Sequence, residues 1–135
     1  MQIINRNHCY SKTNEIIKKY DVRGTFDNEK TIFRNLSGGN QQKFVLGREM
    51  EKNNNLFCIV QPTRGLDIGA TNNIHRLIIE QRNKGNSTLL ISYDLSEVFK
   101  LADNVIVFYK GYATKKLDIN SLTYQKIGLL MMGGS

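Results

Sequence analysis

The chain has 135 residues, of which 40% are hydrophobic and 23% are charged. This length suits one domain with a real core and is short for two. No apolar run approaches the roughly 20 residues that span a bilayer, and the mixed, partly polar residues 1–10 do not resemble a signal peptide, so we expect a cytosolic protein.

The net charge of +7 and the isoelectric point of about 9.5 raise the question of a nucleic-acid partner. The basic residues are scattered, without a long run or interleaved aromatics. Lys, Asn and Ile are all abundant, which indicates a compositional bias more than a binding face. We expect no nucleic-acid partner, and a basic nucleic-acid-binding module is the alternative from a different functional class.

Cys9 and Cys58 stand far apart, and His8 and His75 are isolated, so the spacing of a metal site is missing. Cys58 lies inside a continuous apolar run and is predicted to be a small buried thiol.

The first half of the chain predicts two helices separated by a polar connection. Residues 8–20 carry apolar side chains at helical spacing, and residues 21–35 are polar. A second helix follows Ser37-Gly38-Gly39 and extends to about Lys52. The five apolar residues from Leu56 to Val60 predict a strand buried on both faces.

In the second half of the chain, predicted helices again alternate with predicted strands. We expect a helix over 69–84, a strand over 88–92, and a short helix capped by Asp94 with Glu97 three residues later. A third strand is expected over 104–109, a turn at Lys110-Gly111, a returning strand over 112–117 and a helix over 122–132. This alternation indicates an α/β domain with a parallel sheet core and flanking helices.

Ser37-Gly38-Gly39 at the start of a helix is suited to binding a phosphate. The first N–H groups of a helix lack intrahelical partners, and the helix dipole makes that end partly positive. Taken alone, the same residues are also compatible with an ordinary serine N-cap followed by a flexible glycine pair.

The motif does not stand alone, because segments along nearly the whole chain resemble ABC-type ATPases. Leu36 to Lys43 resembles the signature motif, and its Asn-Gln-Gln-Lys extension resembles the sugar- and nucleoside-uptake branch. The other similar segments are 56–61 (Walker B strand), 62–67 (turn into the D-loop), 91–98 (H-loop), and 21–23 and 127–131 (branch-like segments).

The resemblance implies a partial P-loop NTPase fold of the ABC type. The sequence contains no G-x-x-x-x-G-K-[ST] loop, so the Walker A strand, loop and helix are missing. We expect residues 1–35 to be a remnant of the helical subdomain and its connection, 36–117 the C-terminal part of the ATPase core, and 118–135 a helical tail. Either the sequence is a fragment or the gene has been shortened.

Three positions depart from the family pattern. Val60 and Gln61 stand where a competent Walker B strand has an Asp that organises Mg²⁺ and a Glu that activates water. Tyr93 stands in place of the switch histidine. Val cannot interact with a cation and Gln cannot accept a proton as a base, a loss that typically costs about 10²–10⁴-fold in rate. We expect the catalytic site lined by these residues to be inactive.

ABC domains act as head-to-tail pairs, so the resemblance implies a role in trans. Ser37, Gly38, Gly39 and Gln41 would bind ATP held by a second nucleotide-binding domain, fused or separate. Leu66 and Asp67 would form the D-loop. ATP and Mg²⁺ would be held mainly by that partner domain.

The resemblance also implies a setting in the cell. The expected partners are membrane permease subunits and, indirectly, a substrate-binding lipoprotein, and the expected location is peripheral, on the inner face of the cell membrane. A truncated product without activity and an ABC ATPase outside transport are the nearer alternatives. No residue chooses between a sugar and a nucleoside as the transported substrate.

Overall fold

The computed structural model describes residues 5–26, 30–52 and 54–134. The chain divides into two compact units, residues 1–89 and 90–135. Among the described residues, none of the helices is both long enough and apolar enough to cross a membrane.

The described part of the first unit and its boundary contains both helices and strands. They are α1 (Arg6–Lys19), α2 (Gly38–Met50), β1 (Leu56–Val60), α3 (Ile68–Asn83) and β2 (Ser87–Ile91), with a short 3₁₀ helix at Phe33–Asn35. β1 and β2 pair in a parallel sheet, which confirms the predicted fold class.

The helices of this unit begin and end where the local chemistry requires. Asn5 caps α1 by accepting from the His8 N–H at 3.1 Å, and Gly85, with φ of +86°, follows α3 in the left-handed region that favours glycine. The helix predicted over 69–84 is confirmed as α3, and its buried residues include Ile74, Leu77, Ile78 and Gln81.

α2 is the central helix of the unit and packs against both α1 and α3. The contact with α1 is close at Gly47, where a β-carbon would lie 2.6 Å from the Tyr20 ring. The buried apolar residues of the unit are Ile16, Ile17, Tyr20, Val22, Leu36, Leu46, Met50, Phe57, Ile59, Ile74, Leu77 and Ile78.

The prediction that β1 is buried on both faces is wrong. Phe57 and Ile59 are buried, but Leu56 and Val60 are each 60% exposed, and the Cys58 thiol is exposed as well. Side chains alternate across a strand, and the described part of the chain covers only the face that carries Phe57 and Ile59. The expectation of a buried Cys58 is therefore wrong for the same reason.

The second unit contains α4 (Leu95–Leu101), β3 (Asn104–Val105), β4 (Phe108–Tyr109), β5 (Tyr112–Ala113), β6 (Leu117–Asp118) and α5 (Tyr124–Met131), with a 3₁₀ helix at Ile119–Ser121. Val107, Leu122 and Ile127 form its core. Asp94 caps α4, as predicted, by accepting from the Ser96 N–H at 2.8 Å.

The expected third strand over 104–109 is divided into two. β3 pairs antiparallel with β6, and β4 pairs antiparallel with β5. The division falls at Val107, whose N–H donates to the Thr114 hydroxyl at 3.0 Å instead of to a backbone carbonyl. The turn at Lys110-Gly111 is confirmed, because both residues have positive φ, 42° and 85°.

Candidate functional site

The start of α2 presents the signature motif to solvent. Ser37 is the N-cap residue, and the first intrahelical bond runs from the Gln41 N–H to the Ser37 carbonyl at 2.9 Å. The N–H groups of Gly38, Gly39 and Asn40 therefore lie before the first intrahelical hydrogen bond of α2. Ser37 and Gly38 are exposed, and the first turn of α2 has no acidic residue. The helix end is accordingly open to an anion.

The Ser37 side chain does not cap its own helix. Its Oγ instead accepts a hydrogen bond from the Asn40 Nδ2 at 2.9 Å. Because this bond occupies a lone pair of the oxygen, the hydroxyl hydrogen stays available to donate outward. Sequence reasoning missed Asn40, although its position within the extended motif was a signal that could have found it.

Gln41 is oriented differently from the rest of the motif. Its Nε2 donates to the Leu36 carbonyl at 2.9 Å, in a partly buried setting. This bond fixes the turn that leads into α2. The assignment of Gln41 as an ATP contact stays a prediction.

The residues predicted to form the D-loop, Leu66 and Asp67, lie next to the start of α2 within the first unit. Asp67 caps α3 by accepting from the Ala70 N–H at 2.8 Å. A β-carbon on Gly38 would lie 3.6 Å from the Leu66 Cδ2, and one on Gly39 would lie 2.8 Å from the Ala70 Cβ. Glycine at position 39 therefore permits the starts of α2 and α3 to approach.

The two replaced Walker B positions lie at the end of β1. Val60 is the last residue of the strand, and Gln61 adopts the left-handed region with φ of +49°. Within the described residues, the buried Gln61 Nε2 has no hydrogen-bond partner. Neither side chain carries a carboxylate, so neither provides an acidic ligand for Mg²⁺ or a base that takes a proton from water.

Tyr93 belongs to the second unit, between β2 and α4, and its side chain is 78% exposed. A phenol at this position cannot become a cation as a histidine can near neutral pH. Among the described residues, no cluster of three His, Cys, Asp or Glu side chains could hold a metal ion.

Comparison with known proteins provides the family. No protein-family model matches the chain. The chain is 41% identical over 133 residues to the guanosine import ATP-binding protein NupO of Bacillus subtilis, and this match covers 98% of the chain. It is 38% identical over 131 residues to the ribose import ATP-binding protein RbsA of Caldanaerobacter subterraneus, covering 97%. The chain belongs to the ABC-type ATP-binding proteins.

Solved structures of ABC-type proteins share the fold of this chain. A metal-chelate type ABC transporter in an inward-facing conformation superposes with a TM-score of 0.76 at 18% identity, covering 96% of the chain and 51% of the transporter chain. The ADP conformation of an ATP-binding cassette superposes with a TM-score of 0.68 over 97% of the chain and 49% of the cassette. These likenesses confirm the predicted fold.

This ABC-type chain covers only part of its relatives. It spans 26% of the length of both import proteins. The resemblance inferred from the signature motif and its extension is confirmed.

Proposed function

We propose that the chain is the C-terminal part of the second nucleotide-binding domain of an importer ATPase. In this role it supplies the signature half of a composite ATP site whose phosphate-binding loop and Mg²⁺ ligands belong to a partner domain. The observation that carries the proposal is the exposed start of the signature helix α2, in the same unit as a strand, β1, that ends at Val60 and is followed by Gln61.

The chain fits ATP at the signature motif. The helix N-terminus and the available Ser37 hydroxyl hydrogen together supply donors for phosphate oxygens. Charge-assisted hydrogen bonds of this kind contribute about 1.5–3 kcal/mol each. Donors that are already in place strengthen as negative charge develops on the transferred phosphoryl group.

The chain does not fit Mg²⁺, because Val60 and Gln61 provide no carboxylate. Val60 and Gln61 do not belong to the composite site, whose Mg²⁺ ligands come from the partner domain. Val60 and Gln61 belong to a second site of the pair, which binds nucleotide without hydrolysing it.

The D-loop couples the two sites. Asp67 holds the first turn of α3, and Ala70 in that turn packs against Gly39. A movement of the signature helix on ATP binding displaces Leu66 and Asp67 with it, since such closely packed groups cannot deform independently.

Uptake of a sugar or a nucleoside is the transport function that the relatives support. They include import ATP-binding proteins for guanosine, nucleosides, glucose and ribose. The partners are then membrane permease subunits, with a substrate-binding lipoprotein acting through them. The ATPase lies on the cytoplasmic face of the membrane.

Two substitutions in the assembled importer ATPase that contains this chain test the proposal. Ser37→Arg fills the phosphate site with a bulky side chain and should abolish most transport-coupled ATP hydrolysis. Gln61→Ala changes a position that performs no chemistry and should alter hydrolysis little. Steady-state ATPase rates in lipid vesicles compare the two, and equal losses would show that the sites are wrongly assigned.

A further inference from the structure

We infer that Asn40 is a positioning residue, which directs the hydroxyl hydrogen of Ser37 toward the bound phosphate. The inference rests on the proposed function of Ser37 and adds the residues that orient it. Asn40 lies between the Arg23 backbone N–H, which needs an acceptor, and the Ser37 Oγ, which accepts from a donor.

The orientation of the Asn40 amide follows from chemistry. The Arg23 backbone N–H, which can only donate, lies 2.8 Å from the Asn40 Oδ1. The Nδ2 must therefore face the other way, where it donates to the Ser37 Oγ at 2.9 Å. With that lone pair occupied, Ser37 is an acceptor toward Asn40 and keeps its own hydrogen for another partner.

A buried lysine holds the Arg23 backbone in place. Lys43 is 7% exposed, and its Nζ donates to the Asp21 carbonyl at 2.9 Å and lies 3.4 Å from the Asp21 carboxylate. Asp21 has φ of +51°, an uncommon conformation for a residue other than glycine. The buried ammonium stabilises this turn and so fixes where the next residues run.

Two further contacts complete the turn. The Arg23 Nε lies 3.1 Å from each carboxylate oxygen of Asp21, and this hydrogen bond holds the pKa of Asp21 below its ordinary value. Val22 is 4% exposed, and its N–H donates to the Ile17 carbonyl at 3.0 Å. The segment 21–23 is thus attached to α1 on one side and to α2 on the other.

The segment 21–23 and the Asn-Gln-Gln-Lys extension of the signature motif therefore contact each other. The first and last residues of the Asn-Gln-Gln-Lys extension, Asn40 and Lys43, bind the backbone of segment 21–23. Their joint effect is to present Ser37 as a hydrogen-bond donor rather than as an ordinary helix cap.

A double-mutant cycle on the assembled ATPase tests whether Asn40 acts through Ser37. Ser37→Ala removes one charge-assisted bond and should lower kcat/KM for ATP about 10- to 100-fold. Asn40→Ala should lower it about three- to tenfold, because the hydroxyl loses its orientation. The double variant should stay within about twofold of Ser37→Ala alone, since a residue that acts through another has no effect without it.

Asn40→Asp provides a second test, of the direction in which the Ser37 hydroxyl hydrogen points. The carboxylate still accepts from the Arg23 N–H, but it also accepts from the Ser37 hydroxyl and turns that hydrogen away from the phosphate. We expect kcat/KM to fall further than in Asn40→Ala. Asn5→Ala is the matched control, because it removes an asparagine contact at the start of another helix and should leave kcat/KM unchanged.

The outcomes distinguish a failure of the proposed function from a failure of the positioning role of Asn40. Full activity of Ser37→Ala would overturn the proposed function itself. A loss in Ser37→Ala that multiplies with the loss in Asn40→Ala would overturn only the positioning role.

Discussion

Gly39 in α2 and Ala70 in α3 approach so closely that a β-carbon on Gly39 would lie 2.8 Å from the β-carbon of Ala70. Real side chains do not reach such a separation, so Gly39→Ala must push the two helices apart. We expect this overpacking to lower the free energy of unfolding by about 1–3 kcal/mol. Urea denaturation followed by circular dichroism measures the change.

Gly38→Ala is the matched control for this prediction. Its β-carbon would meet the Leu66 side chain at 3.6 Å, an ordinary van der Waals contact. Since alanine is also the better helix former, the free energy of unfolding should stay the same or rise slightly. Equal destabilisation by both substitutions would argue against a specific contact with Ala70.

Lys43 is expected to stabilise the fold through its bond to the Asp21 carbonyl. Lys43→Met keeps most of the side-chain volume but removes the ammonium from a site that is 7% exposed. Loss of a buried charged donor should lower the free energy of unfolding by about 1–3 kcal/mol. The same denaturation measurement applies.

Lys52→Met serves as the comparison. Lys52 pairs with Glu49 at 2.6 Å, but both side chains are partly exposed, 54% and 35%. An exposed pair of this kind contributes about 0–1 kcal/mol. If Lys43→Met proved as mild as Lys52→Met, the buried ammonium would not be holding the turn.

The contacts of Glu51 predict how stability depends on pH. Its Oε1 accepts from the Lys19 ammonium at 2.7 Å and from the Tyr20 hydroxyl at 2.8 Å. The bond from Lys19 is the main reason that the pKa of Glu51 lies below its ordinary value of 4.5. Because the folded pKa is the lower one, this stabilisation is complete above pH 4.5 and is lost as the pH falls through the folded pKa.

Thermal unfolding measured from neutral pH to about pH 3 tests whether the stabilisation by Glu51 is lost in acid. Glu51→Gln should lower Tm at neutral pH, and the difference from the unsubstituted chain should shrink in acid. Burial is the main cause that raises the pKa of Tyr20 above its ordinary value. The contribution of the Tyr20 hydroxyl to stability should therefore be lost as the pH rises into the alkaline range. A Tm difference for Glu51→Gln that grew in acid would contradict the account.

The helices of the first unit were predictable because their signals are local. Apolar side chains at helical spacing define α3, and Gly85 ends it. The contact between Arg23 and Asn40 had no such signal, because it joins residues that are 17 positions apart. Hydrogen bonds of this type depend on how two helices pack, which periodicity does not specify.

The exposure of β1 shows a second limit of sequence reasoning. Leu56, Cys58 and Val60 are as apolar as their neighbours, and a continuous apolar run predicts burial on both faces. Composition tells which side chains can be buried, but which face is covered depends on the elements that pack against the strand. The divided strand at Val107 is similar, since the Thr114 hydroxyl replaces a backbone partner there.

The number of nucleotides hydrolysed in one turnover tests the central claim most directly. The proposed importer ATPase is assembled with this chain and loaded with radiolabelled ATP at both sites, and ADP is counted after rapid mixing with Mg²⁺. We predict fast formation of one ADP per pair of domains, with the second ATP retained, and loss of the fast phase in Ser37→Arg. Two ADP per pair at equal rates, or a fast phase that survives Ser37→Arg, would contradict the account.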